Sequence, residues 1–112
     1  MSDTICGGSN VGRRLGKLQR HEELRISGVG RDVPIVGRIT IGRENDNTIQ
    51  LDDALASRHH ALVHRIANDY FVKDLESTNG TFVNGTPVPW GKYARLGQGD
   101  ILRIGRTELK LH

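Results

Sequence analysis

Turn residues break this chain so often that no long regular element can form. Between Glu23 and His112 the apolar or alternating runs are short: Leu24–Ile26, Val33–Val36, Ile39–Ile41, Thr48–Leu51, Ala61–Arg65, Tyr70–Lys73, Thr81–Val83, Ile101–Ile104 and Glu108–Leu111. Between them stand Ser27-Gly28, Gly30, Gly42, Asn45-Asp46-Asn47, Asn68-Asp69, Asn79-Gly80, Asn84-Gly85, Gly97-Gln98-Gly99-Asp100 and Gly105. Strand-length runs punctuated at this density predict an all-β sandwich or barrel. Asn84-Gly85, between Thr81–Val83 and Pro87-Val88, is the clearest hairpin signal, because Asn-Gly tolerates the positive φ angles of a type I′ turn.

One segment, Asp53–Ala67, is ambiguous. Leu55, Leu62 and Ile66 would fit one helical face, yet His60, Leu62, His64 and Ile66 also alternate with Ala61, Val63 and Arg65. Fourteen glycines in 112 residues leave little room for a helical protein, so the segment is read as a loop followed by a strand.

The length suits a single domain able to bury a core without staples. Cys6 is the only cysteine, so neither an internal disulfide nor a Cys-pair zinc site is available, and a reduced, cytoplasmic setting is the expectation. No stretch approaches the ~18 apolar residues of a membrane helix, and the N-terminus lacks the apolar run of a signal peptide. The net charge of +3 comes from the first part of the chain. There Arg13, Arg14, Lys17 and Arg20 face only Asp3, and the charges of 22–112 balance. Residues 1–21 are accordingly expected to form a flexible basic tail, with the domain spanning 22–112. Four basic residues without interleaved aromatics are a poor nucleic-acid platform, so no specific nucleic-acid partner and no membrane partner are expected.

Three segments combine residues suited to an oxyanion: Gly42-Arg43-Glu44-Asn45, Ser57-Arg58-His59-His60 and Ser77-Thr78-Asn79-Gly80-Thr81. Loops gather at the ends of a sandwich, where such segments can converge. Arg43 offers a fixed fork of donors, Ser57 and Thr78 each a hydroxyl, and Asn79 an amide that both donates and accepts.

The ordered string Gly42-Arg43, Asn47-x-Ile49-x-Leu51-x-Asp53, Ser57-Arg58-x-His60-Ala61, Asp74-x-x-Ser77-x-Asn79-Gly80-Thr81-x-Val83-Asn84-Gly85, and Leu96-x-x-Gly99-Asp100 with Ile104-Gly105 closely resembles the forkhead-associated family from about Leu24 to His112. The resemblance implies a β-sandwich of about eleven strands with ligand loops at one end, and phosphothreonine-peptide binding without catalysis or cofactor. It implies that Arg43 and Ser57 are the main phosphate ligands, with Arg58 and Thr78 as further contacts. Asn79 would hold the peptide backbone just after the phosphothreonine. Gly42, His60, Gly80 and Asn84 would support the site. The expected partner is a phosphothreonine-containing protein, either a serine/threonine kinase or its substrate, and the residue preferred after the phosphothreonine would depend on Leu55, Ala56 and Arg58. The alternative is a domain of the same fold that binds unphosphorylated partners or assembles with itself. Thr4, if phosphorylated, is a candidate self-ligand.

Plainer roles account for other residues. Gly37-Arg38 lacks the downstream Asn47, Ile49, Leu51 and Asp53 in register, so Arg38 is read as solvent-facing. Ser57, His60 and Asp74 supply the residue types of a hydrolytic triad, but no strand-turn-helix Gly-x-Ser-x-Gly elbow surrounds Ser57. The five histidines lack a metal-binding spacing. Asp74 is read as a structural acceptor, Asp100 as a turn residue, and Trp90 as packed on a sandwich edge. The first hairpin, Ser27 to Asp32, is short for the family.

Overall fold

In the computed structural model, residues 23–112 are described, and the expectations for residues 1–21, Thr4 included, lie outside them. Eleven strands are formed among the described residues: β1 (Arg25–Gly28), β2 (Arg31–Pro34), β3 (Arg38–Gly42), β4 (Ile49–Gln50), β5 (Ala61–Ile66), β6 (Asp69–Asp74), β7 (Thr81–Val83), β8 (Thr86–Pro87), β9 (Tyr93–Leu96), β10 (Ile101–Ile104) and β11 (Thr107–Leu111). One sheet runs β9-β6-β5-β3-β4 and the other β2-β1-β11-β10-β7-β8. Every pairing is antiparallel except the short β3–β4 contact. No described helix is long and apolar enough to cross a membrane.

The alternation read in the sequence is the alternation of burial. Ile39 and Ile41 of β3, Ala61 and Val63 of β5, Tyr70 and Val72 of β6, and Leu96 of β9 turn inward from one sheet. Ile26, Leu102, Ile104, Leu109 and Leu111 meet them from the other. Each such Ile or Leu is worth roughly 1.5–3 kcal/mol on burial. These residues, with Ile35, Ile49, Leu51, Ala56 and Val88, make one core.

The Asp53–Ala67 segment is a loop and then strand β5, as the glycine content argued. Strand β9 carries no comparable sequence signal: it sits on a sheet edge and turns only Ala94 and Leu96 toward the core. The Asn84-Gly85 turn joins Val83 to Thr86, with φ of 51° and 83°, both positive as a type I′ turn requires. The first hairpin is as tight: Gly28 pairs with Arg31 across Val29-Gly30, whose φ angles are 48° and 76°. Trp90 departs from expectation. It does not pack on an edge but stands 71% exposed in the β8–β9 connection, where the residues between Pro89 and Lys92 turn back on themselves.

Register places the three polar loops together. Ile41 pairs with Ala61, and Ala61 with Asp74, so the ends of β3 and β6 and the start of β5 form one row. The loops that leave this row, 43–48, 51–60 and 75–80, therefore share one end of the sandwich.

Candidate functional site

The first and second loops are joined by their backbones. Arg43 N–H donates to the Ser57 carbonyl at 2.9 Å and Glu44 N–H to the Arg58 carbonyl at 3.1 Å. The buried Asn47 amide reinforces the seam, giving its two protons to the carbonyls of Glu44 and Arg58, each at 2.8 Å. The loops approach so closely at Gly42 that any Cβ there would strike the Arg58 carbonyl and the Asn47 amide. Outside this seam, His59 Nε2 meets the Asp46 carboxylate at 2.9 Å, and Gln50 donates to the Arg43 carbonyl at 3.2 Å.

The second loop is tied to the third with equal economy. His60 is fully buried. Its Nδ1 accepts Ser57 N–H at 2.9 Å, which leaves the proton on Nε2, donated to the Gly80 carbonyl at 2.8 Å. Both ring nitrogens are thus committed to backbone groups, and the ring has none left to act as base toward the Ser57 hydroxyl. Asn79 Nδ2 donates to the Leu55 carbonyl at 2.9 Å, and Thr78 N–H donates to Ser57 Oγ at 3.2 Å. Since Ser57 Oγ is an acceptor in that bond, its own proton is free to be offered outward.

Beneath the third loop lies Asp74, buried among donors. Burial by itself raises the Asp74 pKa, but the Ser77 hydroxyl, the Thr81 hydroxyl and Ser77 N–H outweigh it and hold the carboxyl below the usual carboxylate range. The bonds are 2.5 Å from Ser77 Oγ, 2.7 Å from Thr81 Oγ1 and 3.0 Å from Ser77 N. Ser77 Oγ in turn accepts Gly80 N–H at 2.9 Å. The turn closes at Gly80 with φ of +87°, which favours glycine.

Asp53 anchors the second loop from the opposite side. Its carboxylate accepts Leu55 N–H at 2.9 Å, and Arg106 N–H and the Thr107 hydroxyl at 2.8 Å each. These bonds, the Leu55 and Thr107 donors foremost, lower its pKa. Leu55, so fixed, is the residue whose carbonyl receives Asn79.

On this frame, Arg43, Ser57, Arg58, Thr78 and Asn79 line one cleft of about 470 Å³, together with Ala54, Leu55, Ala56, His59, Leu75 and Glu76. The side chains of Arg43, Arg58, Thr78 and Asn79 are exposed. Neither Arg43 nor Arg58 has an ion-pair partner among the described residues. Arg38 is exposed on β3 and does not line the cleft. Asn84 lies in the β7–β8 turn, away from the cleft lining. It donates to Asp100 at 2.9 Å and accepts Ile101 N–H at 2.9 Å, so it joins two turns rather than bracing the three loops. Asp100 is the turn residue expected, with its second oxygen on Gly97 N–H at 2.7 Å. Asn47, Asp53 and His59 were not assigned contacts from sequence. Asn47 and Asp53 had motif positions as their only signal, and His59 had none.

A family model described as FHA domain matches residues 39–105, more than half of the chain and all three loops. The chain belongs to the FHA domain family. Among curated proteins it is 44% identical over 73 residues to an ABC transporter ATP-binding/permease protein of Mycobacterium tuberculosis, covering 65% of this chain and 8% of the transporter. It is also 35% identical over 107 residues to the FHA domain-containing protein FhaB of the same organism, covering 89% of this chain and 68% of FhaB. A solved structure described as an analysis of phosphothreonine-dependent FHA domain interactions superposes with a TM-score of 0.74 at 30% identity, covering 81% of this chain and 96% of that one. The chain thus spans a small part of the transporter and about two thirds of FhaB.

Proposed function

We propose that this FHA domain is a phosphothreonine reader, binding a phosphorylated segment of a partner protein and so joining two proteins only after a kinase has acted. The observation that carries the reading is the cleft itself: two exposed arginines, two hydroxyl residues and an asparagine from three loops face one hollow. A phosphate brings about −1.5 to −2 charges at neutral pH and several acceptor oxygens. Arg43 supplies a fork of donors and Arg58 a second. Ser57 has a hydroxyl proton to give because Thr78 N–H already occupies one of its lone pairs. The Thr78 hydroxyl adds a further donor. Asn79, held at the lip by Leu55, keeps its carbonyl oxygen for a peptide N–H after the phosphothreonine. Ala54 and Leu55 give the cleft apolar surface suited to the threonine methyl.

The partner is a serine/threonine kinase or a protein that such a kinase phosphorylates. The test is binding to a randomised phosphothreonine peptide library, with phosphoserine and unphosphorylated libraries as controls. Enrichment of phosphothreonine peptides alone is expected. Equal retention of the unphosphorylated library would remove the reading in favour of a phosphate-independent interaction domain.

A further inference from the structure

The chain contains two Asn-Gly steps, Asn79-Gly80 in the cleft and Asn84-Gly85 at the tip of the β7–β8 hairpin. Such a step is open to a reaction that needs no enzyme, because glycine has no side chain to hinder its own amide nitrogen. That nitrogen attacks the Cγ carbonyl carbon of the preceding asparagine and gives up its proton. A C–N bond forms, ammonia leaves, and a five-membered succinimide ring remains. Water then opens the ring at either carbonyl, to aspartate or to isoaspartate. One water is taken up and one ammonia released, with no oxidant or reductant.

The fold treats the two steps differently. Both asparagine side chains are held: Asn79 Nδ2 donates to the Leu55 carbonyl and Asn84 Nδ2 to Asp100, each at 2.9 Å. The difference lies in the attacking nitrogen. Gly80 is half-buried, and its N–H donates to Ser77 Oγ at 2.9 Å, an oxygen itself fastened to the buried Asp74 carboxylate. The Gly80 nitrogen reaches Asn79 only by breaking that chain. Gly85 is exposed, and its N–H makes no hydrogen bond among the described residues. At Asn84 the Ile101 N–H, 2.9 Å from Oδ1, also polarises the carbonyl toward attack.

We propose that Asn84 is a site of spontaneous conversion to aspartate and isoaspartate, and that the Ser77–Asp74 chain spares Asn79, so the protein ages at the hairpin and not at the cleft. Aspartate at position 84 replaces the donor to Asp100 by a second carboxylate, and like charges at that distance repel. Isoaspartate adds a main-chain carbon to the two-residue turn that joins Val83 to Thr86. Either product loosens the hairpin from the turn before β10 while the three loops keep their bonds. The same reaction at Asn79 would set a carboxylate among Arg43, Ser57 and Arg58, where a phosphate would be repelled.

The experiment incubates the whole chain at mildly alkaline pH, folded and in parallel in concentrated urea, and follows both steps by peptide mapping with mass spectrometry. In urea the two should convert at similar rates. In the folded protein Asn84 should convert about tenfold faster than Asn79, the scale of one hydrogen bond that must first be broken. Ser77→Ala should raise the rate at Asn79 and leave that at Asn84 unchanged. Asn84→Asp should lower the melting temperature without changing phosphopeptide affinity. If the folded protein converts the two steps in the same ratio as in urea, or converts Asn79 first, the proposal is overturned, whether or not the Ser77 variant folds. If Asn84 leads but a folded Ser77→Ala leaves the Asn79 rate unchanged, the guarding role of Ser77 falls. The mass readout is independent of the phosphothreonine reading, so the two fail separately.

Discussion

The imidazole of His60 takes the Ser57 N–H at 2.9 Å on one nitrogen and gives its proton to the Gly80 carbonyl at 2.8 Å from the other. One buried ring therefore sets the height of the loop that carries Ser57 and Arg58 against the loop that carries Thr78 and Asn79. The proposed phosphate ligands Arg43, Arg58 and Thr78 are exposed, but the spacing between the loops that carry them is determined in the core.

Arg43→Ala is expected to lower phosphothreonine-peptide affinity at least tenfold, because a charge-assisted hydrogen bond is worth about 1.5–3 kcal/mol. Arg38→Ala, on a side chain outside the cleft, should change it little. Titration calorimetry on the two variants decides the matter, and equal effects would place the phosphate elsewhere.

Ser57→Ala and Asn79→Ala should separate phosphate binding from peptide orientation. Both should stay folded and bind phosphopeptide more weakly. Inorganic phosphate should compete less well for the Ser57 variant, which has lost a phosphate donor, than for the Asn79 variant, which has lost its bond to Leu55 and its hold on the peptide backbone. Competition curves that coincide would mean the two residues do the same job.

Asp74 links the site to acid stability. Its folded pKa lies below the unfolded value of about 3.9. Its contribution is therefore present in full above that value and is lost as pH falls through the folded pKa. Asp74→Asn should be less stable at neutral pH, and the gap to wild type should narrow on acidification below about pH 4. Urea unfolding across that range tests this, and a gap independent of pH would refute it.

How far the chain declares itself can be judged from particular residues. Asn84-Gly85 and the alternation in β5 were readable because turn chemistry and burial act on neighbours in sequence. Arg43, Ser57, Thr78 and Asn79 stood out by residue types suited to an oxyanion and took their roles from the family resemblance, and the fold brings them to one cleft. The work of Asn47 and Asp53 was not readable, since Asn47 acts on a carbonyl 11 residues away and Asp53 on an N–H 53 residues away. Strand β9 was missed because an edge strand with one face in solvent needs few apolar residues. Trp90 was misplaced because tryptophan is ordinarily drawn inward, and nothing local marks the exception.

The two tight turns offer a test internal to the protein. Val29-Gly30 and Asn84-Gly85 adopt nearly the same angles, yet a β-branched valine stands at φ of 48° where the other turn has asparagine. Val29→Asn should stabilise the fold by about 1 kcal/mol, raising the melting temperature by roughly 4–8 °C for a domain of this size. The side chain is exposed, so little packing is lost. A lower melting temperature would show that Val29 makes up for its backbone cost in some other way.

The seam of backbone bonds between the first two loops has a kinetic consequence. Loops already fastened by Arg43, Glu44 and Asn47 need no closing motion before a ligand is held, so little ordering is left to oppose association. Arrival is then governed by diffusion and by the attraction of two exposed arginines, which differs little from one phosphorylated segment to the next. Partners are told apart by how long they stay, and the dwell time on the cleft becomes the interval for which a phosphothreonine is hidden from the enzymes that would remove it.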